Sequence, residues 1–120
     1  NADGGTRTAS INGGFVAIAL AVKNKYPDLY KNNILNPVGA ISVGKVNGKI
    51  VDDLDYDQDS SADVDLNIVM NSSYDLIEIQ GTGENGTFNF EELNEMLTLG
   101  KSCISKIFTE QEKILSSWAE

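Results

Sequence analysis

The chain has 120 residues, 18 acidic against 9 basic side chains, no histidine and a formal net charge of −9. Without histidine there is no Ser-His-Asp or Cys-His nucleophile, no imidazole general base and no His-ligated zinc. The length fits one domain, and the single cysteine, Cys103, forms no internal disulfide; its place on an apolar helical stripe points to a reduced, cytosolic setting.

The charge is divided along the chain. Residues 1–49 carry a net +4, residues 50–100 carry −13 with no basic side chain, and residues 101–120 balance. So acidic a middle segment repels nucleic acid unless cations bridge it; the plain alternative is a solvated acidic surface. The longest apolar run, Phe15 to Val22, has eight residues, far short of a ~20-residue span. Gly and Asp, rather than basic residues, precede it, so it is not a signal peptide. The chain opens on Asn1 rather than Met, and we expect further chain upstream.

In chain order, the Gly-rich stretch Asp3 to Arg7 leads into a helix over Ala9 to Lys25, apolar all round and so expected to be mostly buried. Tyr26-Pro27-Asp28 ends it, because the residue before proline avoids the helical region. A polar stretch then runs to Asn36-Pro37, the best boundary in the chain. Beyond it the apolar period becomes two. Val38 to Val46 and Lys49 to Leu54 flank Asn47-Gly48, the strongest short hairpin signal. Ala62 to Met70 alternates, with Val64, Leu66, Ile68 and Met70 on one face and Asp63, Asp65 and Asn67 on the other. Asn71-Ser72-Ser73 turns into a strand over Leu76 to Gln80. Asn89 and Glu92 form a capping-box pattern opening a long helix with apolar positions from Leu93 to Trp118. The order defines an α+β fold: a helix, two hairpins in a mostly antiparallel sheet, and a long C-terminal helix.

Two constellations are candidates for chemistry. Gly4-Gly5-Thr6-Arg7 opens a helix, and helix N-termini bind phosphate through unpaired N–H groups and partial positive charge. Arg7, the chain's only arginine, adds a bidentate fork. There is no Walker lysine, and a helix cap with a surface arginine explains the same residues. The second constellation is the run Asp52, Asp53, Asp55, Asp57, Asp59, Asp63 and Asp65. Hard divalent cations take carboxylate oxygens; structural aspartates at strand ends are the alternative. A calcium-loop register from Asp55 to Leu66 fails, because Ser60 stands where the turn needs glycine and Leu66 where the bidentate Glu belongs.

Four blocks resemble the bacterial ribonuclease PH family: Asn1 to Ile11, Val38 to Gly44, Asp59 to Asn67, and Ile77 to Glu84 (Ile-Glu-Ile-Gln-Gly-Thr-Gly-Glu). They stand in the family's order, and the last favours it over the related polynucleotide phosphorylase and archaeal exosome families. The resemblance implies a two-layer α/β sandwich truncated at its N-terminus. Residues 1–36 would end the first domain and residues 37–120 form the second. It implies a phosphorolytic 3′-to-5′ exoribonuclease that trims transfer-RNA precursors and other RNA 3′ ends with inorganic phosphate and releases nucleoside diphosphates. The family's phosphate-contacting residues fall on Gly5, Thr6 and Arg7; its catalytic, metal-associated aspartates fall on Asp59 and Asp65, holding Mg²⁺ or Mn²⁺. A cytoplasmic hexameric ring, a trimer of dimers, is expected of the complete protein. Family members are about twice this length, and the missing half, with a second phosphate-contacting arginine and much of the basic RNA surface, precedes Asn1. The chain alone is therefore expected to be inactive and to self-associate through exposed edges. The readings to separate from a nuclease are a cation-binding assembly module and a ring subunit without turnover.

Overall fold

A computed structural model describes residues 2–32, 35–52 and 62–117, with side chains in the first helix from Arg7 onward. Helix α1 spans Ala2–Lys25, so it starts earlier than the expected Ala9. Glycine costs a helix only about 1 kcal/mol relative to alanine, and Gly4 and Gly5 do not interrupt it. A short α2, Pro27–Lys31, follows at once, with Pro27 in the first turn, where the missing N–H has no intrahelical partner anyway. The proline that ends one helix thus begins another.

Strands β1 (Val38–Val46) and β2 (Lys49–Asp52) form the expected hairpin. Asn47 and Gly48 have φ of 52° and 79°, the two positive values a type I′ turn needs. The expected end of β2 at Leu54 lies outside the described residues. Strands β3 (Val64–Asn71) and β4 (Leu76–Gly83) make the second hairpin. Its turn is held by Asn71 Oδ1, which accepts the N–H groups of Ser73 and Asp75 at 2.9 and 3.0 Å. β4 runs past the expected Gln80 to Gly83, and Gly81 serves packing there: a Cβ on it would lie 2.8 Å from Leu66 Cδ1. The sheet is antiparallel throughout, in the order β2-β1-β3-β4.

Helix α3 spans Phe90–Ser117 and opens on the expected capping box. Asn89 Oδ1 accepts the Glu92 N–H at 2.8 Å, and Glu92 Oε1 accepts the Asn89 N–H at 3.0 Å. One face of α3 covers the sheet, closing a core of Val43, Val64, Leu66, Ile68, Met70, Met96 and Ile104. Gly100 lets the helix down onto Ile68, whose Cδ1 occupies the space a Cβ would need. The period-two alternation of β3 therefore sends Val64, Leu66, Ile68 and Met70 to α3 and leaves Asp65, Asn67 and Val69 on the opposite face.

Lys45 of β1 bridges to Glu92 Oε2 at 2.7 Å, tying the sheet to the start of α3. That hydrogen bond, with the Asn89 N–H, holds the Glu92 carboxyl below the usual carboxylate range. A lowered folded pKa contributes stability above the unfolded value, about 4.3 for Glu, and loses it as pH falls through the folded value. Glu92→Gln should therefore flatten the fall in thermal midpoint as pH drops below about 4.3; an unchanged acid limb would rule the linkage out.

Two faces are less covered than the sequence suggests. α1 buries a narrow stripe, with Thr8 and Ala19 enclosed but Ile18 58% exposed, so the expectation of a mostly buried helix is corrected. It packs along β1, α2 and α3, and Arg7 reaches β4. β4 is an edge strand with Leu76, Ile77 and Ile79 exposed. Unpaired edges carrying apolar side chains associate, so the isolated chain should sediment as concentration-dependent oligomers; a monodisperse monomer would contradict this. No helix among the described residues is long and apolar enough to cross a membrane.

Candidate active site

β2 ends opposite Val43, so β1 from Ser42 back to Val38 has no strand on that edge among the described residues. The Asn12 side chain of α1 takes the strand's place. The Ala40 N–H donates to Asn12 Oδ1 at 2.7 Å, and Asn12 Nδ2 donates to the Ala40 carbonyl at 2.9 Å. Gln111 of α3 closes the junction: its Nε2 donates to the Val38 carbonyl at 3.1 Å and the Asn12 carbonyl at 3.2 Å. Lys23 Nζ donates to the Leu115 carbonyl at 2.6 Å. One helix is thereby fixed to the sheet and to α3.

This docking carries the first turns of α1 across the polar face of the sheet. There Arg7 Nη2 meets Glu78 Oε1 of β4 at 2.5 Å, with side chains 42% and 37% exposed. Glu78 stands opposite Val69 in β3, next to a register shift in which Met70 pairs with Leu76. The amides of Thr6 and Arg7 fall inside the helix, because it begins at Ala2. Neither is therefore among the unpaired N–H groups at the helix start, and the Arg7 guanidinium is the described donor group on this face. The side chain of Thr6 lies outside the description, as do any contacts of Gly5.

Asp65 occupies the same face of β3, between Gly44 of β1 and Thr82 of β4. Its Oδ1 is buried and has no hydrogen-bond partner among the described residues. Buried polar atoms are nearly always paired, and leaving one unpaired costs about 1–3 kcal/mol. An unpaired, shielded carboxylate oxygen suits a hard divalent cation, which takes such oxygens as ligands. Gly44 has no side chain to compete for that space. Asp59, the second expected ligand, lies outside the described residues, and no group of three or more metal-ligating side chains occurs among those described.

Between Asp65 and the Arg7–Glu78 pair sits Asn67. Ser42 Oγ, fully buried, donates to Asn67 Oδ1 at 2.6 Å and leaves the Asn67 NH₂ as a donor. Val69, opposite Glu78, stands four steps along β3 from Asp65, about 13 Å of strand. Asp65 and the Arg7–Glu78 pair thus share one face of the sheet. Asp63 belongs to the fold: its carbonyl accepts the N–H groups of Glu84 and Asn85 at 2.9 and 3.1 Å. Asp52 faces α3, where Cys103 Sγ lies 3.7 Å from its Oδ2. A cleft of about 660 Å³ near the β3–β4 turn, lined by Phe15, Tyr30, Tyr74, Phe108 and Leu115, lies away from Asp65.

Sequence reasoning assigned no role to Asn12, Ser42, Glu78 or Gln111. Gln111 left a trace, as a polar residue on the otherwise apolar stripe of α3, where it is 4% exposed. Glu78 left one only as part of the Ile77 to Glu84 block.

This fold is that of a nuclease family's second domain. The sequence profile of the 3′ exoribonuclease family, domain 2, matches residues 36–103, and the chain belongs to that family. Its relatives within the family carry the name ribonuclease PH. The one from Neisseria meningitidis is 48% identical over 118 residues, 97% of this chain and 49% of the relative. Those from Crocosphaera subtropica and Neisseria gonorrhoeae are 45% and 48% identical over 117 residues each. The chain spans about half the length of the curated relatives it matches.

Proposed function

We propose that the complete protein is a phosphorolytic 3′-to-5′ exoribonuclease acting on transfer-RNA precursors and other RNA 3′ ends, and that this chain carries half of its active site. The observation that supports this most directly is the unpaired Asp65 carboxylate on the same face as the chain's only arginine. Arg7, with Gly5 and Thr6 beside it, binds inorganic phosphate. An oxygen of that phosphate attacks the phosphorus of the last phosphodiester, and the bond to the 3′ oxygen of the preceding nucleotide breaks. The products are a nucleoside diphosphate and an RNA one residue shorter, its new 3′ oxygen taking a proton. Asp59 and Asp65 would hold Mg²⁺ or Mn²⁺, which neutralises charge on the transferred phosphate when bound; one of the two carboxyls can instead supply the proton. Phosphoryl transfer asks chiefly for positioning and charge neutralisation, so the lack of histidine is no obstacle.

In this reading residues 1–36 end a first domain and residues 37–120 form the second. The upstream half supplies the remaining phosphate contacts and the basic RNA surface, and the isolated chain is inactive. The cytoplasm and a homohexameric ring are the setting this reading adopts. The test is phosphate-dependent release of nucleoside diphosphates from a 3′-extended transfer RNA by a full-length protein containing this chain. Release that ignores phosphate, or no release from a folded protein, would favour a non-catalytic assembly module.

A further inference from the structure

The phosphate-binding arginine is already engaged by an anion of the protein itself. Glu78 Oε1 reaches Arg7 Nη2 at 2.5 Å across 71 positions of sequence, and nothing in the proposed reaction uses it. We propose that Glu78 is an internal competitor for the phosphate site: it occupies Arg7 in the phosphate-free enzyme and sets the affinity for inorganic phosphate below what Arg7 alone would give. The inference rests on the reading of Arg7 as a phosphate ligand.

Three observations carry it. The contact is a single charge-assisted bond from one nitrogen of a five-donor fork, so an incoming anion with several oxygens can displace it. Both side chains are roughly two-fifths exposed, which leaves the guanidinium open to solvent phosphate and keeps the pair weak enough to exchange. Glu78 also flanks the irregularity in β4, where Val69 pairs with Glu78 but Met70 pairs with Leu76, skipping Ile77. Such irregularities re-aim side chains beside functional sites, here next to the residue that meets Arg7. A phosphate held on Arg7 would lie next to the Glu78 carboxylate, and like charges so placed repel. The carboxylate therefore subtracts from phosphate binding whether it is displaced or stays beside the anion. A weakened hold on phosphate also favours departure of the nucleoside diphosphate, whose terminal phosphate is the one Arg7 bound.

The direction of the effect separates this from a structural role, since damage to the site would weaken phosphate binding. In a full-length enzyme containing this chain, Glu78→Gln should lower the KM for inorganic phosphate about three- to fivefold, with the KM for RNA not following it. Glu78→Thr, which removes the carboxylate with a strand-compatible residue, should do the same. Arg7→Ala should raise the phosphate KM and abolish the gain from either substitution. If Arg7→Ala raises that KM while both Glu78 variants leave it unchanged or raise it, the competitor role is overturned. If Arg7→Ala does not move the phosphate KM, the assignment of Arg7 itself fails.

Discussion

Asp65→Asn in a full-length enzyme containing this chain is expected to reduce phosphate-dependent release of nucleoside diphosphates by at least about 100-fold. The substitution preserves the shape of the side chain and removes only its charge and its ability to hold a cation or a proton. The structure makes the control for folding unusually clean. Asp65 Oδ1 is shielded and unpaired among the described residues, so the apo protein bears the cost of an unsatisfied buried acceptor. Neutralising it should leave the unfolding free energy of the cation-free protein unchanged or raise it by up to about 1 kcal/mol. Adding Mg²⁺ should stabilise the parent by about 2.7 kcal/mol at 100 times the dissociation constant, read as a raised midpoint, and leave the Asp65→Asn midpoint flat. Activity within a few-fold of the parent would remove Asp65 from the reaction. A midpoint that responds equally to Mg²⁺ in both proteins would remove it from the metal site.

Much of this arrangement is visible in the residues because local rules and the global fold agree. The alternation Val64, Leu66, Ile68, Met70 fixes which face of β3 meets α3, and so places Asp65 and Asn67 together on the other. Asn47-Gly48 fixes the first hairpin, and Asn89 with Glu92 fixes the start of α3. The failures share a physical origin. The extension of α1 to Ala2 was obscured by Gly4 and Gly5, whose helix penalty is small against the continuity of the elements around them. Pro27 reads as a stop, yet proline is equally a first-turn residue, and α2 begins there. Partnerships across long separations leave no local trace: Arg7 with Glu78, Asn12 with Ala40, Gln111 with Val38. Neither periodicity nor propensity encodes which polar side chain will stand in for a missing strand. The resemblance offers Arg7 and Asp65 as candidate site residues, whereas only the folded chain displays the groups around them.

Asn12→Ala is expected to carry the largest structural penalty of any single change at this junction. Ala40 is fully buried, and both its N–H and its carbonyl depend on the Asn12 amide. Losing two such partners costs about 2–6 kcal/mol, since each buried group left unpaired is worth about 1–3. Alanine's better helix propensity returns only a few tenths of that. Asn24→Ala, at an exposed position on the same helix, provides the contrast and should lie within about 0.5 kcal/mol of the parent. Asn12→Asp is the sharper variant: it keeps an acceptor for the Ala40 N–H but sets a carboxylate against the Ala40 carbonyl, so it should destabilise as well. Denaturant midpoints measure the stability difference, and exchange of the Ala40 amide reports the lost bond directly. The functional consequence follows from where the helix leads. Asn12 lies five positions beyond Arg7 on α1, so the amide pair that anchors α1 to β1 also sets where the arginine stands relative to Asp65. Loosening it should therefore raise the phosphate KM in the full-length enzyme under conditions where the protein is still folded. If Asn12→Ala lost stability but kept the phosphate KM of the parent, Arg7 would have to be positioned by something other than the anchored helix.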